Sequence, residues 1–348
     1  MIKPIKGQGA QRNVSQRFSS YVHEINQYTD EVEEIQGKTE FIDVYPKTIV
    51  NKVISPDIGS AYSMNPYQGC EHGCSYCFAR PTHEFWNYNA GVDFERTILV
   101  KKNAPKLLEQ FFQKRNYIPE PIMLSGNTDC YQPCERNFKL TRQLLETCLR
   151  YKHPVSIITK NALVLRDLDL LVKLNKLNLI RVRFSITTLD EDLRRRMEPR
   201  TSSSLKRLET LNTLSTAGIP TYVLMAPIIP GLNSHEILNM MKITSENGAQ
   251  GFGLTMVRLN GAVYPVFKEW IEAHYPMKSE KVLNQIKELH GGSHEDMRFG
   301  TRMRGEGRLA ESFQAMLQLG QKKYFTQREL KKLDTHHFSP KPHQLKLF

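Results

Sequence analysis

From about residue 60, short apolar segments alternate along the chain with longer segments whose apolar residues repeat at helical spacing. The short segments are rich in β-branched residues, which is typical of strands buried in a parallel sheet. Two helical segments stop at Gly218 and Gly248, and glycine is the usual residue just beyond a helix. With a further strand leading into residues 65–80, the alternation predicts an α/β fold, a partial (β/α)6 TIM-like barrel. The strand-like segments are IMLSG, VSIITK, IRVRFSIT, TYVLMAPII and FGLTMVRL.

The regions outside this alternation divide the 348 residues into four predicted parts. Residues 1–50 lack clear periodicity and are expected to be an N-terminal extension that lies over the partial barrel of residues 51–275. Residues 276–320 are basic and helical in pattern. Residues 321–348 are also basic, contain two prolines near the end, and are expected to form a flexible tail.

No stretch approaches about 18 consecutive apolar residues, so no membrane span is predicted. The N-terminal segment MIKPIKGQGAQRN lacks the apolar core of a signal peptide. A cytoplasmic location is therefore expected. Thiols stay reduced there, and clustered cysteines are more often metal ligands than disulfides.

The chain carries a formal net charge of +12, which bears on its partners rather than on its fold. The segment DEDLRRRMEPRTSSSLKR is strongly basic, and residues 322–348 hold seven Lys or Arg against two acids. Such segments suit a polyanion such as nucleic acid, but they are equally compatible with a solvated cationic surface.

Three of the six cysteines lie within the segment NPYQGCEHGCSYCFAR, as Cys70, Cys74 and Cys77. Three closely spaced thiolates can hold an iron–sulfur cube and leave one of its four irons open to a small molecule. The alternative is a zinc ion with His72 or His83 as the fourth ligand, although structural zinc sites usually use two spaced pairs of ligands.

The spacing C-x3-C-x2-C, with Tyr76 before the last cysteine, resembles the signature of radical S-adenosylmethionine (SAM) enzymes. The resemblance implies a 4Fe-4S cluster whose open iron binds the amino and carboxylate groups of SAM. It also implies reductive cleavage of SAM to a 5′-deoxyadenosyl radical, which abstracts hydrogen from a substrate. An electron donor such as flavodoxin or ferredoxin is part of the same implication.

Segments at the ends of the predicted strands resemble the family in the same order, namely LSGN, IITK, RFSIT with MEPRTSS, and LMAPIIPG. In the family, such segments complete the SAM pocket at the carboxyl ends of the strands. The match at LSGN is partial, since Asn127 replaces the usual acid and Asp129 follows it. The implied SAM-binding residues are Tyr76, Ser125, Gly126, Asn127, Lys160, Ser185, Glu198, Arg200 and Pro227.

These segments, together with GNTDCYQPCER, are most similar to the spore photoproduct lyase-like branch and its uncharacterised relatives, often called DNA repair photolyase-like. The resemblance implies a lyase-type repair of damaged DNA, with phosphate contacts from residues 194–196 (Arg194, Arg195 and Arg196) and from the basic C-terminal part. The lyase returns a hydrogen atom from a cysteine just after strand two. This chain has Asn127 or Thr128 at that position.

The nearest thiol to that position is Cys130, which is therefore a candidate hydrogen donor. Two other interpretations remain open for Cys130, Cys134 and Cys148. They are inert thiols, or they are ligands of an auxiliary cluster, for which three thiols with one on a helix make a poor set.

The chain ends in QLKLF, which resembles the short peptide by which bacterial repair proteins bind the sliding clamp. In a groove, the apolar side chains would fill pockets and the glutamine would form a hydrogen bond at the rim. The alternative is an apolar chain end that docks on its own domain. The candidate clamp-binding residues are Gln344, Leu345, Leu347 and Phe348.

Two other functions remain open at this point. The same chemistry could modify RNA or a protein side chain. The chain could also be a metal-stabilised nucleic-acid-binding adaptor that has no catalytic activity.

Overall fold

The computed structural model describes residues 4–17, 38–326, 328 and 330–341. The predicted clamp-binding residues Gln344, Leu345, Leu347 and Phe348 lie outside these described residues, so their role stays a prediction. Within the described ranges, none of the helices combines the length and the apolar character needed to cross a membrane.

Strands and helices follow one another along the described residues as the alternation predicted. The strands are β1 (Glu40–Val44), β2 (Val50–Lys52), β3 (Tyr62–Met64), β4 (Tyr67–Gln68), β5 (Thr97–Lys101), β6 (Ile122–Leu124), β7 (Val155–Thr159), β8 (Ile180–Ser185), β9 (Thr221–Ile228) and β10 (Phe252–Met256). The α-helices are α1 (Val92–Arg96), α2 (Ala104–Phe112), α3 (Glu135–Phe138), α4 (Leu140–Tyr151), α5 (Leu168–Asn175), α6 (Glu191–Met197), α7 (Ser204–Thr216), α8 (Ile237–Glu246), α9 (Val263–His274), α10 (Pro276–Leu289) and α11 (Gly307–Tyr324). Three 3₁₀ helices span Arg80–Trp86, Ala162–Asp167 and Ser234–Glu236.

The main sheet has the order β10-β9-β8-β7-β6-β3-β2. The six strands from β3 to β10 in this sheet are parallel, and β2 adds an antiparallel edge next to β3. This confirms the predicted α/β fold with a parallel sheet. Because these six strands are parallel and adjacent in the sheet, their carboxyl ends all meet at one rim, where ligands bind in such folds.

The helices after each strand pack on the outer face of this sheet because each has one apolar face. In α4, for example, Leu144, Leu145, Cys148 and Tyr151 are buried together in the main core. The predicted helix stop after α7 is confirmed, since Gly218 adopts a φ of +77°, which favours glycine.

A second, three-stranded sheet was not predicted from the sequence. It has the order β1-β5-β4, with β1 and β5 parallel and β4 antiparallel to β5. The expectation that the first parallel strand runs directly into the cysteine loop is therefore corrected. The chain leaves β3, crosses to the second sheet through β4, and only then reaches Cys70.

The loop of residues 293–305 lies along the outer edge of the main sheet. The backbone N–H of Met256 in β10 donates to the carbonyl of Met303 at 3.0 Å. On its other side, the N–H of Gly300 donates to Asp57 at 2.8 Å, and Arg302 forms a salt bridge with the same carboxylate. This loop therefore connects the two ends of the open barrel.

The expected flexible tail of residues 321–348 needs correction for its described part. Its boundary at residue 321 lies inside α11, which packs on α8. Further on, Phe338 contacts the rings of Phe112, Tyr117 and His153. Because burying an apolar ring lowers the free energy of the folded state, this contact holds the residues near 338 against the barrel.

Candidate functional site

A cavity of about 580 Å³ occupies the inside of the barrel and extends to the carboxyl ends of its strands. Its wall brings together the three clustered cysteines and most of the residues expected to bind SAM. The cysteines that line it are Cys70, Cys74 and Cys77. The expected SAM-binding residues that line it are Tyr76, Ser125, Gly126, Asn127, Lys160, Ser185 and Pro227.

The cysteine loop folds as a succession of tight turns. The N–H of Gly73 donates to the carbonyl of Cys70, and the N–H of Cys77 donates to that of Cys74, at 3.4 and 3.3 Å. The start of the loop is anchored where the N–H of Cys70 donates to the carbonyl of Phe94 at 2.7 Å. Cys70 and Cys74 are buried, while Cys77 is partly exposed. The three thiols thus reach one cavity from a single short loop.

Two glycines allow this loop to bend so sharply. Gly69 has a φ of +78°, and a Cβ atom added there would lie 2.6 Å from the carbonyl oxygen of Thr97. Gly73 has a φ of +65°, and its added Cβ would lie 2.7 Å from a carboxylate oxygen of Glu95. Any larger residue would therefore displace the loop.

The donor set fits an iron–sulfur cluster better than a zinc ion. Zinc needs its ligand atoms at about 2.0–2.3 Å from one centre, whereas the cysteines of a cluster each bind a different iron. Among the residues that the structure describes, no three His, Cys, Asp or Glu side chains are close enough to hold one metal ion. The three thiols nevertheless face the same cavity.

The two histidines considered as zinc ligands have other contacts. His72 Nδ1 lies 3.4 Å from Asp129 and its Nε2 lies 3.3 Å from the amide nitrogen of Asn161. The ring of His83 packs against Phe94 outside the cavity lining. Burial lowers the pKa of each imidazole to about 4, so both are neutral near pH 7.

The buried carboxylate of Glu95 supports the cysteine loop from outside the cavity. Glu95 forms a salt bridge with Arg80 and accepts hydrogen bonds from the backbone N–H groups of residues 9 and 10 at 3.2 and 2.7 Å. Arg80 also donates to the carbonyl of Cys74 at 2.8 Å. Arg200, expected to bind SAM, instead lies 3.3 Å from Glu95 and does not line the cavity.

Glu198 also lies outside the cavity lining, although it was expected to bind SAM. It is fully buried, and it accepts hydrogen bonds from Tyr76, Thr187 and Arg207. The ammonium of Lys160 lies 3.9 Å from it. Burial opposes ionisation of Glu198, but Arg207 and Lys160 outweigh this effect and lower its pKa to about 2. Glu198 therefore orients two residues that do line the cavity.

The loop after β6 shapes the adjacent wall. Ser125 and Gly126 both have positive φ, of 93° and 91°. The Ser125 hydroxyl donates to the carbonyl of Ile158 in β7 at 2.7 Å. The side-chain amide of Asn127 donates to Gln68 in β4 at 2.9 Å. The loop is thus tied to its neighbouring strand and to the segment that leads into the cysteines.

Asp129 is a functional candidate to which the sequence alone assigns no role. Its carboxylate accepts hydrogen bonds from the Thr159 hydroxyl and from the backbone N–H of Lys160, at 2.8 and 2.7 Å. It also lies beside His72 and lines the cavity. The signal was an acid two residues after Asn127, where the related segments carry an acid at the end of the motif.

Cys130, the candidate hydrogen donor, lies in the core rather than at the cavity. Its side chain is fully buried, and its backbone N–H donates to the Ser125 hydroxyl at 3.1 Å. Thr128 lines the cavity in its place. Cys134 and Cys148 are also buried, and burial raises the pKa of all three thiols. None of these three thiols lines the cavity that Cys70, Cys74 and Cys77 share.

The prediction that Arg194 contacts phosphate is wrong. Its side chain is buried, and its guanidinium forms a salt bridge with Glu191 and donates to the carbonyls of Glu198 and Thr201. Arg195 and Arg196 are exposed. The face of α6 that looks outward therefore offers two of the three predicted cations.

Three arginines that line the cavity were not predicted. Arg181 and Arg183 lie on β8, at positions that alternate with Ser185 and hence share its face. Arg258 follows β10. Burial lowers the pKa of each guanidinium from its ordinary value. The sequence signal was charge at every second residue in IRVRFS.

Comparison with known proteins agrees with this geometry. The profile of the radical SAM superfamily matches residues 64–243, which is more than half of the chain. An uncharacterised protein of Mycobacterium tuberculosis is 30% identical over 258 residues, covering 72% of this chain and 73% of that protein. An uncharacterised protein of Methanocaldococcus jannaschii is 32% identical over 251 residues, covering 72% of this chain and 90% of that protein.

Among solved structures, the fold is similar to that of a spore photoproduct lyase mutant with bound AdoMet and dinucleoside spore photoproduct. The TM-score is 0.59, with 17% sequence identity, over 85% of this chain and 86% of that one. At this identity the likeness establishes the fold. The family match, the cysteine loop and the parallel sheet together show that this chain belongs to the radical SAM superfamily and is an enzyme that uses SAM and an iron–sulfur cluster.

Proposed function

We propose that this enzyme uses a 4Fe-4S cluster and SAM to repair damaged DNA in a lyase-type reaction. The observation that carries the proposal is a single cavity, of about 580 Å³, onto which the three cysteines, the strand-end polar residues and three arginines all open. A volume of this order suits a cofactor together with a small part of a substrate. The shared fold with a spore photoproduct lyase mutant that has a bound dinucleoside spore photoproduct supports the choice of substrate.

Cys70, Cys74 and Cys77 would hold the cluster and leave one iron for SAM. The chemistry that the two groups supply together is one-electron cleavage of SAM to a 5′-deoxyadenosyl radical, which takes hydrogen from the substrate. Burial raises the pKa of the three thiols, so they are neutral without metal and give up their protons when iron binds.

The residues around the cysteines would bind and orient SAM. The ammonium of Lys160 lines the cavity and suits the carboxylate of SAM, while Ser125 and Ser185 offer hydroxyl groups at neighbouring strand ends. Glu198 holds Lys160 and Tyr76 in place from behind. Tyr76, Gly126, Asn127 and Pro227 complete the proposed pocket, and Arg200 supports it through Glu95.

A damaged nucleotide must leave the duplex to enter such a cavity, and damaged bases unstack at lower cost than normal ones. The exposed Arg195 and Arg196 are suited to contact the DNA backbone nearby. Hydrogen return by Cys130 would require its thiol to leave the core.

We also propose two protein partners in the cytoplasm. One is the sliding clamp, bound through residues 344–348. The other is a small electron-transfer protein such as flavodoxin or ferredoxin.

Anaerobic incubation of the reconstituted enzyme with SAM, a reductant and UV-irradiated DNA tests the proposal. We expect 5′-deoxyadenosine to form and a lesion nucleoside to decrease in mass analysis of the digested DNA. Undamaged DNA, RNA and protein serve as parallel substrates. Formation of 5′-deoxyadenosine with a change in RNA or protein, and none in irradiated DNA, would reject the DNA substrate.

The clamp contact is tested separately by deleting residues 344–348. The shortened enzyme should lose the purified sliding clamp in a pull-down and keep its SAM cleavage. Retention of the clamp by the shortened chain would show that these residues are not the binding peptide.

A further inference from the structure

The inner face of β8 carries charge far inside the barrel. Ser185 lies at the carboxyl end of the strand, and Arg183 and Arg181 follow on the same face toward the amino end. Two residues of a strand span about 7 Å, so the guanidinium groups originate one and two layers below the rim. Branched apolar side chains dominate these layers in barrels of this type. The presence of two arginines in these layers therefore needs a specific explanation.

These arginines have few partners among the described residues. Arg181 donates to the carbonyl of Lys331, but its Nε atom is buried and has no hydrogen-bond acceptor. In the part of the chain that the structure describes, no carboxylate forms a salt bridge with Arg181 or Arg183, and Tyr222 is the neighbour that influences Arg183. The Tyr222 hydroxyl itself donates to the carbonyl of Phe252 at 2.8 Å.

Arg258 lines the same cavity from the far edge of the sheet. The two carboxylates that act on it electrostatically are already engaged elsewhere. Asp57 pairs with Arg302, and Asp296 pairs with Arg298. Arg258 is therefore a third cation whose neighbouring acids serve other arginines.

Placing cations inside a protein without acids is costly, and such groups are normally paired. The pairing elsewhere in this molecule follows that rule, as in Arg80 with Glu95 and Arg207 with Glu198. Among the described residues, Arg181, Arg183 and Arg258 surround one cavity without such a pair, so a negatively charged ligand would supply the missing partner. The planar guanidinium matches phosphate oxygens in a two-point contact, which an ammonium cannot provide.

We propose that Arg181, Arg183 and Arg258 form a phosphate-binding site inside the barrel, where they hold the substrate by the phosphate next to the reacting group. The assignment of that phosphate to an extruded DNA nucleotide rests on the proposed function. The anion site itself does not, because a free nucleotide would present the same group. The arginines thus select a phosphorylated substrate and set how deeply it enters.

The test compares two probes on the full-length, reconstituted enzyme with SAM. One probe is the UV-irradiated dinucleotide TpT, and the other is the same irradiated dinucleotide with a neutral methylphosphonate linkage. We expect the neutral probe to bind wild type about tenfold to hundredfold more weakly, which corresponds to the loss of one charged hydrogen-bonding contact. Equal binding of the two probes would overturn the inference without the need for any variant.

Variants then locate the effect. In Arg183→Met the difference between the two probes should shrink at least about threefold, because one of the three cations that distinguish them is gone. Arg115→Gln removes an exposed cation outside the cavity, at a position with no proposed DNA contact, and should keep the wild-type difference. If Arg183→Met also keeps that difference, the phosphate is not bound at this site.

Two results separate this inference from the proposed function. In the first, thymidine 5′-monophosphate binds wild type more tightly than Arg183→Met, while irradiated TpT neither binds nor changes. This result would support the anion site and reject the DNA substrate. In the second, irradiated DNA is repaired but the neutral probe binds as tightly as the phosphodiester. This result would reject the phosphate-binding site and support the proposed function.

Discussion

The two sides of the cavity differ in how their charges are paired. On the cysteine side, Lys160 is paired with Glu198, and Arg80 behind the loop is paired with Glu95. On the β8 side, Arg181 and Arg183 have no acidic partner among the described residues. A side that satisfies its own charges holds its shape without a ligand. A side with unpaired charges needs a bound ligand of opposite charge to neutralise them.

This difference coincides with a division between the expected cofactor residues and the three unpredicted arginines. The cysteine side contains most of the residues by which the resemblance implied SAM binding, and the ion pair with Glu198 holds Lys160 in place there. Strand β8, by contrast, carries one expected cofactor residue, Ser185, at its carboxyl end. Substrate choice is therefore expected to depend on the β8 side.

The largest expected effect follows from removing a cluster ligand. Cys74→Ser should abolish both iron–sulfur absorbance and 5′-deoxyadenosine formation, because a hydroxyl is a poor ligand for a cluster that three residues must hold. Cys148→Ser is the matched control, since Cys148 lies on α4 in the core and outside the cavity lining. Iron content after anaerobic reconstitution is the measurement. Normal absorbance and activity in Cys74→Ser would contradict the assignment.

The paired side predicts a large loss of stability when its acid is neutralised. Glu198→Gln leaves Arg207 buried without a counter-charge, which should lower the free energy of unfolding by about 3–5 kcal/mol. Glu209→Gln is the control, because its pair with Lys206 is exposed and contributes at most about 1 kcal/mol. Urea denaturation of the metal-free proteins measures both. A similar small loss in the two variants would show that the Glu198 network is not coupled to folding.

The same carboxylate predicts a pH dependence. The pKa of Glu198 is about 2 in the folded protein and near 4.5 in an unfolded chain, so the unfolded state binds more protons between these values. Its contribution to stability is present above pH 4.5 and is lost as the pH falls toward 2. Between pH 5 and pH 3, wild type should lose about 2 kcal/mol more than Glu198→Gln. Parallel losses in the two proteins would refute the lowered pKa.

The sequence predicted the parallel sheet and the cysteine loop because both are encoded locally. A strand such as β9 is a continuous apolar run, and the three cysteines lie within eight residues. The second sheet was missed because β1 pairs with β5 across more than fifty residues, and neither strand has a distinctive pattern.

The supporting ion pairs were missed for a similar reason. Glu95 meets Arg200 at a separation of 105 residues, which no spacing in the sequence reveals. Arg181 and Arg183 fall within a strand-like segment of the sequence, and only the cavity shows that their face is the inner one. The tail of residues 321–348 was predicted to be flexible because it contains prolines and little core material. In its described part, however, Phe338 packs on the barrel and the N–H of Ser339 donates to the carbonyl of Tyr151.

The smallest expected effect is a gain in stability rather than a loss. It tests most directly whether the two sides of the cavity differ in charge pairing. Arg183→Met replaces a half-buried cation that lacks an acidic partner by an apolar side chain of similar length. Because no counter-charge is stranded, the metal-free protein should be more stable by about 1 kcal/mol in urea denaturation, whereas Glu198→Gln is less stable. Arg195→Gln, at an exposed position, should change stability by less than about 0.5 kcal/mol. A loss of more than about 1 kcal/mol in Arg183→Met would mean that Arg183 has a structural partner, and the two sides of the cavity would then be built alike.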